Sequence, residues 1–190
     1  MAIAISACFN MDSYLTIKGP DNVDYKVVIS APKESAFIID AIKDSLGKFD
    51  KVETTVRNDT TYLTAEIKGI PIDSLTEFGF RVEKVNENTY RIWQEKSESE
   101  DQTDELLKSL LGQYRMSLTV VVENGKVLEH NADEVKGNTY FWKTTLDRAA
   151  EFSPSITIQF RKFSGSLRLI IGLFALLIGA GVFFFLKSKS

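Results

Sequence analysis

The chain has 190 residues, with 23 Lys and Arg against 26 Asp and Glu, and a net charge of −3. That balance lacks the basic stripe on which nucleic-acid binding depends. A single cysteine (Cys8) and a single histidine (His130) exclude an internal disulfide framework and a cysteine-rich zinc site, and no cofactor motif is present.

The chain opens MAIAISAC. Ile5-Ser6-Ala7 before Cys8 resembles a bacterial lipobox, in which an aliphatic residue and two small ones precede the cysteine that takes the lipid. The apolar run before Cys8 is shorter than a full signal peptide and has no Lys or Arg. Residues 1–8 are therefore read as the remnant of a signal peptide whose start is placed late, with Cys8 as the lipidation site. The plainer alternative is a short apolar strand carrying a buried cysteine.

Strand-forming and turn-forming segments then alternate. Ser13–Lys18 and Tyr25–Ser30 flank Gly19-Pro20-Asp21-Asn22 and predict a hairpin. Ile38, Ala41, Ile42, Leu46 and Phe49 trace one face of a helix whose N-cap is Ser35. Lys51–Arg57 and Thr61–Lys68 predict two strands joined at Asn58-Asp59-Thr60. Pro71–Gly79 reads as a short helix with Ile72, Leu75 and Phe78 inward. Phe80–Val85 and Thr89–Gln94 predict a third hairpin, in which Ile92 and Trp93 face opposite ways.

Glu95–Glu105 is an acidic run that leads into a helical face of Leu106, Leu107, Leu110, Leu111 and Tyr114. Met116–Glu123 is the most strand-prone run. Asn124-Gly125 after it predicts a type I′ hairpin returning through Lys126–Glu129. Gly137-Asn138 turns into Thr139–Leu146. In Ser155–Lys162, Ile156, Ile158 and Phe160 alternate inward.

The order predicts an α+β domain over residues 9–163: a curved, mostly antiparallel sheet of hairpins with two or three packed helices in a ββα rhythm. Residues 164–168 form a short linker. Residues 169–186, LIIGLFALLIGAGVFFFL, contain no charge, Asn, Gln or Pro. At ~1.5 Å per residue they cover roughly 27 Å, close to the thickness of a bilayer core. They predict one C-terminal transmembrane helix, followed by a tail at 187–190 whose lysines suit the cytoplasmic side.

The segment SLTVVVENGKVLEHNADEVKGNTYFW, Ser117–Trp142, resembles the closing part of the LppM-type bacterial lipoprotein domain. The matching positions are Gly125, Lys126, Val127, Asn131, Ala132, Gly137, Asn138, Thr139 and Trp142. The layout is similar too: a lipobox cysteine, one α+β domain and a C-terminal span. The resemblance implies an envelope lipoprotein anchored in the bacterial cell membrane, with its domain on the extracytoplasmic side and a fold similar to those that cradle lipids. It implies no catalytic activity.

No G-x-S-x-G, Gly-rich phosphate loop or H-E-x-x-H pattern occurs, so the expectation is a non-enzymatic protein. Tyr140, Trp142, Phe152, Phe160 and Phe163 are the expected contacts to an apolar ligand or to lipid headgroups. The plainer reading of these aromatics is core packing. Two alternatives stand beside lipid binding: a protein-interaction module of the envelope, and a tail-anchored domain facing the cytoplasm if no signal peptide exists.

Overall fold

A computed structural model of the chain places residues 9–96, 112 and 114–161, which are the residues described below. The chain divides into two compact units, Met1–Phe160 and Arg161–Ser190, and the description is of the first. Cys8, Phe163, the linker, the apolar run 169–186 and the tail lie outside the described residues, as does the helix expected around Leu106–Leu111. Among the described residues no helix is long and apolar enough to cross a membrane.

Eleven strands form two sheets among the described residues. They are β1 (Asn10–Gly19), β2 (Asn22–Pro32), β3 (Lys51–Arg57), β4 (Thr60–Ile70), β5 (Arg81–Asn86), β6 (Thr89–Trp93), β7 (Arg115–Val122), β8 (Gly125–His130), β9 (Glu134–Lys136), β10 (Thr139–Thr145) and β11 (Ser155–Phe160). The larger sheet has the order β3-β4-β2-β1-β7-β10-β9 and the smaller β5-β6-β11-β8. All pairings are antiparallel except β1 with β7, which run side by side from Asn10 opposite Arg115 to Ile17 opposite Val122.

The predicted α+β class is corrected. The domain is mostly β, and among the described residues only α1 (Ala36–Lys43) is an α-helix. The physical reason lies in the spacings. Ile72, Leu75 and Phe78 recur every third residue, the period of a 3-10 helix, and Ile72–Phe78 is one. It ends at Gly79, whose φ of 84° is open to a residue without a Cβ. The longer pattern over 35–49 also breaks up: α1 gives way at Asp44–Leu46 to a 3-10 turn. Ser35 does occupy the N-cap of α1, without a side-chain capping bond. Ile39 is fully buried, and Ile42, Leu46 and Phe49 pack against the core from this segment.

Both sheets contribute to one core. Leu15 and Ile17 of β1, Val27 and Ile29 of β2, and Leu118, Val120 and Val122 of β7 join Tyr90, Ile92, Ile156, Ile158 and Phe160 of the smaller sheet. The alternation predicted for β11 and for Ile92 against Trp93 is present: Ile92 is buried and Trp93 half-buried. Tyr25 anchors an aromatic group with Phe49, Phe78 and Phe80 at centroid distances of 5.8, 5.4 and 5.6 Å.

The expected hairpins β1–β2, β3–β4 and β5–β6 are present. The fourth is not. β7 belongs to the larger sheet and β8 to the smaller, so Asn124-Gly125 is a corner between sheets. Asn58 and Asp59, with φ of 46° and 58°, take the two positive values that a type I′ turn requires, and Arg57 pairs with Thr60 across them. Gly125 serves closeness instead: a Cβ there would lie 2.7 Å from Ile158 Cγ2 and 3.2 Å from Val122 Cγ1.

One ion pair ties the first hairpin to the neighbouring strand. Lys18 Nζ donates to Asp24 Oδ2 at 2.6 Å, and the Gly69 amide donates to Asp24 Oδ1 at 3.0 Å. Burial pushes the Asp24 carboxyl up, but the Lys18 hydrogen bond, the Gly69 amide and the nearby Lys68 charge outweigh it and hold the group below its ordinary value. A carboxyl depressed in the folded state contributes stability above its unfolded pKa, and that contribution disappears as pH falls through the folded value. Asp24→Asn is thus expected to be less stable than the wild type near neutral pH. The difference should shrink in thermal melts taken at successively more acid pH, and a constant difference would contradict this linkage.

Candidate functional site

The first residues of β7 and the last of β10 lie side by side, Arg115 opposite Thr145, Ser117 opposite Lys143 and Leu118 opposite Trp142. Beyond them the chain turns through a 3-10 segment, Leu146–Glu151, and returns through Phe152, Ser153 and Pro154 into β11. The Leu146 amide bonds the Tyr114 carbonyl at 3.0 Å, which closes this corner. The result is an open cleft of about 870 Å³ at one end of the domain, walled by β7, β10, the 146–154 return and the loop after β8. Ligand sites commonly occupy about 300–1,000 Å³. The interior between the sheets is filled by comparison: its void near Leu15, Phe80 and Leu118 measures about 10 Å³.

The cleft has an apolar floor and a charged rim. Met116, Trp142, Phe152 and Pro154 supply the apolar groups, and Lys96, Arg115, Lys143 and Arg148 the cations. Three carboxylates also line it, and each is engaged. Asp12 accepts a hydrogen bond from the Ser117 hydroxyl, Asp133 accepts the Lys143 amide at 2.8 Å, and Glu151 accepts from Arg148 at 3.1 Å. Among the described residues Arg115 and Lys96 have no ion pair, and Lys143 has only a 4.0 Å approach to Glu134. With four cations against three carboxylates the lining is net positive by one.

Asn131 holds one wall in place. Its Oδ1 accepts both the Trp142 indole N–H and the Ser155 amide at 2.8 Å, and its Nδ2 donates to the Ser153 carbonyl at 2.8 Å. One side chain thus joins the loop after β8 to β10 and β11. Asn138 does similar work at the other end of β10, where its Nδ2 donates to the Val122 carbonyl at 3.0 Å. Of the positions singled out in the sequence, Asn131 and Asp133 fasten the cleft wall and Asn138 fastens the far end of β10.

The predicted contact residues divide. Trp142, only 4% exposed, and Phe152 meet at the cleft. Tyr140 is half-buried further along β10, its ring 5.0 Å from that of His130. Phe160 is buried in the smaller sheet against Tyr90 at 5.8 Å, at the end of β11 away from the cleft. The aromatics do not make one pocket. Sequence reasoning missed Met116, Arg115, Lys143 and Arg148, because their meeting depends on the β7–β10 register and the 146–154 return. Their local signals are those of ordinary strand and turn residues. Among the described residues no cluster of three His, Cys, Asp or Glu groups is placed to hold a metal ion.

The two ends of the described domain lie at opposite poles. Phe9 enters beside the cleft, its carbonyl accepting the Arg115 amide at 3.2 Å and its ring standing 6.0 Å from Tyr114. Phe160 leaves at the far end, opposite Gly125. The eight residues of β7, at ~3.3 Å each, separate those ends by roughly 23 Å.

Neither a protein-family model nor a curated protein matches the chain. A solved structure does: the folded domain of the Mycobacterium tuberculosis LppM protein, determined by NMR, superposes with a TM-score of 0.53 at 13% sequence identity. The match covers 80% of this chain and 89% of that one. The chain has an LppM-like fold.

Proposed function

We propose that this domain is a non-catalytic binding module of the bacterial envelope. It takes an amphiphile with an acyl or other apolar part and an anionic head into the cleft between β7, β10 and the 146–154 return. The observation that carries the reading is the pairing of an apolar floor (Met116, Trp142, Phe152) with rim cations, Arg115 foremost, which has no ion pair among the described residues. Apolar surface alone would suit any greasy ligand. Cations over an apolar floor favour one whose head carries phosphate or carboxylate, which Arg grips through two parallel N–H bonds.

The position of the cleft supports the same reading. It opens beside Phe9, the residue after Cys8. A lipid on Cys8 would hold the mouth at the membrane surface, where amphiphiles reside. The domain would then lie outside the cytoplasmic membrane. The LppM-like fold agrees with an envelope lipoprotein of this kind.

The test is native mass spectrometry of the full chain purified in detergent and incubated with phosphatidylglycerol or with phosphatidylcholine. The expected result is one bound phosphatidylglycerol per chain, little bound phosphatidylcholine, and a loss of about tenfold in occupancy for Arg115→Glu, since charge-assisted contacts contribute about 1.5–3 kcal/mol. Equal retention of both lipids, or no effect of Arg115→Glu, would overturn the reading. Capture of a protein in place of a lipid would favour the interaction-module alternative.

A further inference from the structure

We propose that the free edge of β8 is the contact through which two copies of this chain pair, strand to strand and antiparallel. Among the described residues β8 is hydrogen-bonded only to β11, so its other edge presents backbone donors and acceptors with no strand partner there. The strand GKVLEH is self-complementary. Placed against its copy about a two-fold axis between Val127 and Leu128, it sets Lys126 opposite Glu129 twice and Val127 opposite Leu128 twice.

A bulge brings the two charges to one face. In a regular strand Lys126 and Glu129, three residues apart, would point to opposite faces. The β8–β11 register slips between Thr157 and Ile158, leaving Leu128 without a partner in β11. Lys126 therefore lies opposite Gln159 and Glu129 opposite Thr157, both on the outer face, while Val127 faces Ile158. Residues directly opposite in an antiparallel pair share a face, so the two charges meet across the axis. Lys126 and Glu129 are exposed and have no ion pair among the described residues. Leu128, displaced by the bulge, is 46% exposed at the edge.

The other edges do not offer this. β3 paired with itself about Thr54 would set Lys51 against Arg57, and about Thr55 would set Arg57 against Glu53, which Lys51 already holds at 2.9 Å. In β9, Glu134 and Lys136 already bond each other at 2.7 Å. β5 is flanked by the 72–78 turn, and its Arg81 is held by Glu95 at 3.0 Å. A second copy through β8 is thus the occupant that the charges select, and its isologous geometry closes at two. A six-residue strand pair is small for an interface, so the dimer forms as concentration rises and is strengthened where copies share one surface.

The experiment is sedimentation equilibrium of the full chain in density-matched detergent, with Lys126→Glu, Glu129→Lys and the double exchange Lys126→Glu/Glu129→Lys. All three keep the backbone and alter only exposed groups, and circular dichroism verifies their folding. The expected result is a concentration-dependent dimer, weakened about tenfold or more by either single reversal, because two attractive pairs become two repulsive ones, and restored by the double exchange. A chain that stays monomeric throughout overturns the proposal. So does a dimer indifferent to the single reversals, or one that the double exchange fails to restore. Lipid occupancy measured on the same variants keeps this result separate from the cleft reading, since neither residue lines the cleft.

Discussion

Replacing Trp142 with alanine is expected to cost about 3–5 kcal/mol of folding stability, the range for deleting a large buried aromatic. The indole is 4% exposed, sits opposite Leu118 in the β7–β10 register, and belongs to the core between the sheets. The loss goes beyond volume. Its N–H is one of two donors on Asn131 Oδ1, so truncation also loosens the loop that carries Asn131 to Ser153 and Ser155. Trp142→Phe separates the two parts. It keeps most of the apolar contact and leaves the Asn131 oxygen bonded to the Ser155 amide, so its cost should be closer to 1 kcal/mol. Urea unfolding of both variants measures this, and equal losses for the two would contradict the division.

The second large effect is at Gly125. A single added methyl, Gly125→Ala, should destabilise by about 1–3 kcal/mol through overpacking. The new carbon would stand 2.7 Å from Ile158 Cγ2, which belongs to a fully buried, β-branched side chain with no free end to swing away. Gly47→Ala is the control: its φ is −60° and nothing lies within 4 Å of the added carbon. Gly47→Ala should stay within about 0.5 kcal/mol of the wild type. If both alanines behave alike, the corner between the sheets is not the tight contact described here.

Gly125 also shows where sequence reading succeeds and where it stops. Local pairings were legible: three hairpins stand where alternation and turn residues put them, because neighbouring strands with a short turn leave few other partners. Asn124-Gly125 has the chemistry of a type I′ turn, yet it joins two sheets, since β8 finds β11 some thirty residues on and β7 finds β1 more than a hundred residues back. Those choices are settled by burial of whole faces. The helix reading was coarser: Pro71–Gly79 reads as a short helix with Ile72, Leu75 and Phe78 inward, and the segment is a short 3-10 helix, since a spacing of three matches that period.

The cleft was half legible. Trp142 and Phe152 drew notice as aromatics, but Phe160 and Tyr140 share the same composition signal and lie elsewhere. What gives the cleft its character is the placing of Arg115, Lys143 and Arg148 over Met116, from three segments that only the tertiary structure assembles. Asn131, in a polar stretch that reads as loop, is the residue that fastens the wall.

The most direct test of the cleft as the ligand site uses the two tryptophans as reporters. Trp142 has its indole N–H on Asn131 at the cleft wall, whereas Trp93, on β6 behind that wall, does not line the cleft. Proton–nitrogen NMR of the full chain in detergent, with Trp93→Phe to assign the two indole signals, would follow both while a short-chain anionic phospholipid is added. The expected result is a saturable shift of the Trp142 indole signal, absent in Arg115→Glu, with a smaller shift at Trp93. A shift confined to Trp93, or an unmoved Trp142 signal at saturating lipid, would contradict it.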